Sequence, residues 1–236
     1  MLLLVTDTSG KQGCVALARA GDCVERALLP AGHVNDEGAE ELHLIESVPL
    51  VGGTFSAQLV PQISALLSKH SFRKSDISAF IAVSGPGSFT GLRVGLAAVK
   101  ALAEVLRKPI VPVSLLEVLA IESRASGKVL TVLDAGRGEV YAAEYQIADG
   151  VAQLLGERML TKEELARAAG SLIVVTSDKT LAESAPPGSS MLVAITASAI
   201  AELGWRKLQA GETVTPEQLE ANYIRRSDAE IFAGKP

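Results

Sequence analysis

Two aspartates stand where an α/β chain can place reactive groups. Asp7 and Asp134 each close an apolar run, residues 2–7 and 129–134, and small residues follow both: Thr8-Ser9-Gly10 in one case, Ala135-Gly136-Arg137-Gly138 in the other. If both turns face one cleft, an aspartate can orient a hydrated cation while turn amides meet a phosphate. The candidate nucleotide-contacting residues are therefore Asp7, Thr8, Ser9, Asp134, Gly136 and Arg137. Either turn alone is explained as well by the ordinary use of Asp to start a turn. It is the repetition that suggests a shared cleft.

A second candidate is the run Ser84-Gly85-Pro86-Gly87-Ser88-Phe89-Thr90-Gly91-Leu92-Arg93, between a predicted strand at 79–84 and a predicted helix at 91–106. Amides at a helix start attract anions, and glycines let a ligand come close. The spacing matches neither the dinucleotide fingerprint nor a P-loop. A plain strand-to-helix turn capped by Ser88 or Thr90 fits equally. Metal and hydrolase chemistry find little support. The three histidines, His33, His43 and His70, are never four residues apart, and no Gly-x-Ser-x-Gly elbow occurs. A metallopeptidase is thus the weakest reading. Cys14 and Cys23 fall on one expected hairpin, with Cys14 opposite Ala27 and Cys23 opposite Ala18, on different rungs; they read as reduced packing residues.

The helix after the glycine-rich run has three charges between Gly91 and Leu106: Arg93, Lys100 and Glu104, all on one stripe. A helix with one wet stripe must be covered on two sides. Gly91, Gly95, Ala98 and Leu102 form a small-residue face, flanked by Leu92 and Val99, open to a close neighbour. That neighbour is either the chain's own lobe or a partner subunit. The predicted helix Ser56–Lys69, with Leu59, Ile63, Leu66 and Leu67, shares the surface, and Gly95→Glu is the change expected to break a partner contact there. The basic cluster Lys69-His70-Ser71-Phe72-Arg73-Lys74 reads as complementing that helix's negative end.

Positioning these groups takes alternating strands and helices. Strands are expected at 2–7, 13–19, 23–29, 79–84 and 110–113, with a further helix at 114–124. The list then restarts: strands at 129–134, 139–147 and 151–156, a helix at 162–169, a strand at 171–176, helices near 178–184 and 196–210, and a strand at 191–194. The repeat implies two α/β lobes with mixed sheets, related by duplication. We place the first lobe at 1–110 and the second at 111–236, with room for the last helical segment to return to the first. The segment Pro30–Thr54, with Asp36, Glu37, Glu40, Glu41 and Glu46 and no Lys or Arg, reads as a long connection with a short helix at 39–48. In 236 residues with net charge −5 there is no sustained basic stripe, so direct nucleic-acid binding is not expected. Met1–Val5 runs into Asp7 as a first strand, and no apolar run reaches membrane-spanning length; a cytoplasmic protein is expected.

Leu4-Val5-Thr6-Asp7-Thr8-Ser9, Gly85 through Gly95, Asp134-Ala135-Gly136-Arg137-Gly138-Glu139-Val140-Tyr141 and Tyr223-Ile224-Arg225 together closely resemble the bacterial TsaB (YeaZ) family over nearly the whole chain. The resemblance implies a two-lobed actin-like, sugar-kinase-like (ASKHA, ribonuclease H-like) fold. It further implies a non-catalytic partner of a TsaD-like catalytic subunit and a TsaE-like ATPase. That complex makes threonylcarbamoyladenosine beside the anticodon of tRNAs reading A-starting codons. By the same resemblance the chain pairs with itself when alone, through Ser56–Lys69 and Gly91–Leu106, and meets tRNA only within the complex. It requires no cofactor, with weak ATP or ADP binding in the cleft left open. The alternative is a nucleotide-dependent small-molecule kinase of the same fold. Phe55-Ser56 replaces the family's His-Ser pair, Asp134-Ala-Gly-Arg137 replaces Asp-Ala-Arg-Arg, and the acidic Pro30–Thr54 connection is longer than usual.

Overall fold

The apolar run Leu2–Asp7 forms β1 and is buried at every position, as a strand flanked by neighbours and covered on both faces must be. The structure, a computed structural model, describes residues 1–21, 41–185 and 188–224. β2 (Gln12–Ala20) returns antiparallel to β1, and β3 (Leu42–Val51) pairs antiparallel with β2 at the sheet edge. β4 (Ile77–Gly85) and β5 (Ile110–Ser114) extend the other side in parallel, giving the order β3-β2-β1-β4-β5. The crossovers are α1 (Phe55–Lys69) and α2 (Phe89–Leu106), which share one core on a single face of this sheet. Ser88, not Thr90, caps α2 by accepting the Gly91 N–H at 3.3 Å.

The third strand corrects the sequence reading. The partner of β2 is Leu42–Val51, inside the segment read as a loop with a helix at 39–48, whereas 23–29 lies outside the described residues. The alternation is broken by a bulge: Leu17 faces Glu46 while Ala18 faces Leu44, leaving Ile45 extra. Leu42 and Leu44 therefore pack on one face and Val48 and Leu50 on the other, although all four are even-numbered. Pro49 is tolerated because β3 is an edge strand. Cys14 stands opposite Asp7 and Pro49; its expected partner Ala27, and Cys23, lie outside the described residues.

The second sheet repeats the plan. β6 (Gly127–Gly136), β7 (Glu139–Ala148) and β8 (Val151–Thr161) form an antiparallel meander. Beyond β6, β9 (Ile173–Thr176) and β10 (Ser190–Leu192) add in parallel, for the order β10-β9-β6-β7-β8. α4 (Lys162–Ala169) and α5 (Lys179–Ser184) cover its outer face through Leu165, Ala169 and Leu181. α3 (Leu115–Glu122) and α6 (Ala197–Gln209) fill the layer between the sheets. Leu115 and Val118 of α3 join the first sheet's core, and Leu116 and Leu119 the second's; α6 packs on the first sheet. β5 carries the first sheet past residue 110, and the chain after α6 returns to it, pairing Val214 with Ile110 and burying Leu219. Among the described residues no helix is long and apolar enough to cross a membrane.

Candidate functional site

Four turns converge between the lobes: Ser9–Lys11 after β1, Gly52 and Gly53 before α1, Gly87 and Ser88 before α2, and Asp134–Arg137 at the end of β6. With Phe89 and Arg93 of α2 and Tyr141 of β7, they line a cleft of about 880 Å³, within the ~300–1,000 Å³ of small-molecule sites. The two aspartate turns thus share one cleft, as their repetition suggested. Among the described residues no group of three or more His, Cys, Asp or Glu side chains converges as a metal site.

The six predicted contacts divide. Ser9, Asp134, Gly136 and Arg137 line the cleft, while Asp7 and Thr8 are buried beneath it. Asp7 Oδ1 accepts the Ser9 N–H at 2.8 Å and the Ser9 hydroxyl at 2.6 Å. Burial pushes the Asp7 carboxyl above its usual range, and the Ser9 bonds pull it partly back. Burial and the neighbouring Asp7 push the Cys14 thiol up to about 12, which keeps it protonated and inert. Thr8 Oγ1 donates to the Gly91 carbonyl at 2.8 Å, and the Ser88 N–H donates to Ser9 O at 2.6 Å. A side chain on Gly87 would overlap the Ser9 backbone, so this close approach requires glycine. The floor of the cleft is therefore a stitched pair of turns, and Asp7 is engaged by its own turn. Asp134, by contrast, is exposed, with Lys162 4.0 Å away.

The predicted partner residues also divide. Leu59, Ile63, Leu66, Leu67, Leu92 and Val99 are buried in the chain's own core, and Gly91 and Gly95 lie against Thr8. That corrects the reading of this small-residue face as open to a partner. Its glycines admit the β1 turn, and the Phe55 ring fills the space beside Gly13 and Gly91. Ser56 is exposed, while Ala98 and Leu102 are half-buried. Exposed beside them are Ala57, Val60, Pro61, Ser64, Ala65 and Ser68 of α1 and Ala97, Ala101 and Val105 of α2. Val60 is 50% and Val105 80% exposed, and α1 carries no charge before Lys69. Lys69 and His70 both hold Glu46 of β3 at 2.7 Å, and Arg73 pairs with Asp76, so the basic cluster is engaged locally.

One cluster escaped the sequence reading. Tyr223 stacks on Phe89, ring centroids 4.2 Å apart and planes within 9°, and Arg93 Nε donates to its hydroxyl at 3.2 Å. Phe89 and Tyr223 each belong to a recognisable motif, but nothing in a sequence pairs motifs so far apart. Lys11 and Gly52 were likewise missed as lining residues, because neither carries a local signal.

The family model for TsaD, described as tRNA N6-adenosine threonylcarbamoyltransferase, matches residues 49–173. The tRNA threonylcarbamoyladenosine biosynthesis protein TsaB of Bacillus subtilis is 34% identical over 113 residues, 48% of this chain and 49% of that protein. The protein of the same name from Escherichia coli is 38% identical over 92 residues, 38% of this chain and 40% of that one. The solved structure of YeaZ from Pseudomonas aeruginosa superposes with a TM-score of 0.69 at 26% identity, covering 94% of this chain and 99% of that one. The chain belongs to this family, on its TsaB (YeaZ) branch. In the alignments it spans about half the length of the curated relatives it matches. The two five-stranded lobes account for the cleft, and the glycine-rich turn before α2 is stitched into the cleft floor.

Proposed function

We propose that this chain is a non-catalytic partner subunit in threonylcarbamoylation of the adenosine beside the anticodon in tRNAs reading A-starting codons. It acts in the cytoplasm by binding a TsaD-like subunit alongside a TsaE-like ATPase, pairs with itself when alone, and meets tRNA only through the complex. The relatives' names supply the pathway. The observation that carries the partner role is the outer face of α1 and α2. From Phe55 to Ser68 a helix with many solvent-facing positions holds no charge, and Val60 and Val105 stand exposed. An exposed apolar patch without charge suits a protein partner better than water. Engagement of Asp7 by Ser9 supports an accessory rather than a cation-orienting role. Titrating the TsaD subunit of the same organism into this chain should give a saturable complex; absence of binding at micromolar concentrations would contradict the proposal.

A small-molecule kinase of the same fold is favoured by the cleft's size and by Lys11, Arg93 and Arg137 along it, which also suit weak ATP or ADP binding. It would require a heat of Mg-ATP binding in calorimetry and ATP turnover.

A further inference from the structure

The chain after α6 returns first to the first lobe and then links it to the second. Val214 exchanges backbone hydrogen bonds with Ile110 at 3.2 and 2.8 Å, and Leu219 is buried in the core under α1 and α2. The next residues alternate between lobes. The Asn222 N–H donates to Ser84 O in the first sheet at 2.8 Å, while Asn222 Nδ2 donates to both Glu157 carboxylate oxygens on β8, in the second sheet, at 3.1 Å. Tyr223 stacks on Phe89 in the first turn of α2, and Ile224 packs against the second lobe's core. The fit is close: a side chain on Gly85 would stand 2.8 Å from Asn222 O. Tyr141 of β7, whose hydroxyl donates to Gly87 O at 3.4 Å, adds a cross-cleft bond.

We infer that Asn222, Tyr223 and Ile224 form a clasp that fixes the opening of the interlobe cleft. The lobes already share α3, whose Leu115 and Val118 enter the first core and Leu116 and Leu119 the second. The clasp adds ties at Ser84, Phe89 and Glu157 that restrict relative motion of the lobes. Here one backbone group and one aromatic ring face the first lobe, while one amide and one aliphatic chain face the second. Arg93 both lines the cleft and holds Tyr223, so anything that engages its guanidinium competes with the clasp. Each lobe keeps its own buried core, so losing one link loosens the lobes without unfolding either.

The test is the distance between spin labels on Lys74→Cys, in the exposed turn before β4, and Lys179→Cys on α5. They are placed in a Cys14→Ala, Cys23→Ala chain and diluted with unlabelled protein, so that only distances within one chain are read. The parent should give one narrow distance. Asn222→Ala, Tyr223→Ala and Arg93→Ala should each give a broader, shifted distribution, and Gln153→Ala, elsewhere on β8, the parent's. Glu157→Ala reads the same link from the other lobe without touching the strap, should Asn222→Ala fail to fold. A parent-like distribution in folded Glu157→Ala and Tyr223→Ala, or a broad one in the parent itself, would overturn the clasp.

Discussion

A methyl group at Gly95 would overlap the Thr8 side chain, whose hydroxyl is committed to the Gly91 carbonyl. Overpacking a site with no room to yield costs about 1–3 kcal/mol. Gly95→Ala is therefore expected to lower the urea midpoint while the far-UV spectrum is retained; an unchanged midpoint would contradict the packing account. Gly95→Glu is for the same reason a probe of folding and not of partner binding. Asp7 gives a pH signature. Burial raises its folded pKa above the ordinary 3.8, so the stability it contributes is complete below that value and is lost as pH rises through the raised one. Asn at position 7 stays neutral and still offers Ser9 an acceptor. The stability of Asp7→Asn relative to the parent should thus grow as pH rises from strong acid toward neutrality, seen in paired thermal melts. A difference that stays constant with pH would contradict it. The types of both residues were legible in the sequence, and their partners were not. A glycine stripe looks the same whether it admits a turn of the same chain or another subunit's helix.

Regular helices and strands were legible where periodicity is unbroken: α4 spans residues 162–169, as its pattern predicts. β3 was not, because the bulge at Ile45 shifts its alternation and an edge position excuses Pro49. On α2, the charge stripe was legible, but which flank is covered depends on the sheet and on α1. The covered flank holds Gly91, Leu92, Gly95 and Val99, and Ala97, Ala101 and Val105 stay exposed. Val60→Glu on α1 tests that division. The side chain is half exposed in the isolated chain, so its thermal midpoint should be near the parent's. An unpaired charge buried in an interface costs about 3–5 kcal/mol, so affinity for the TsaD subunit should fall by about 100-fold or more. Parent-like affinity would place the partner on another surface.

At the scale of the molecule, the two sheets follow one plan, β3-β2-β1-β4-β5 in the first lobe and β8-β7-β6-β9-β10 in the second. That duplication was legible as a repeated order of elements, including the aspartate turns that share the cleft. The return of the chain beyond α6 depends on contacts such as Val214 with Ile110 and Asn222 with Ser84 and Glu157, which no local pattern announces. The resulting molecule has a stitched cleft floor at one end of its first sheet and, on its exterior, a helix α1 without charge before Lys69. The proposed role means that another subunit cannot modify tRNA without this one. The direct measurement is threonylcarbamoylation of unmodified tRNA by the organism's other pathway proteins, with and without this chain. Modification lost on omission, restored on addition and absent with this chain alone is the predicted result. Full modification without the chain would contradict the account and bring the nucleotide-dependent kinase forward.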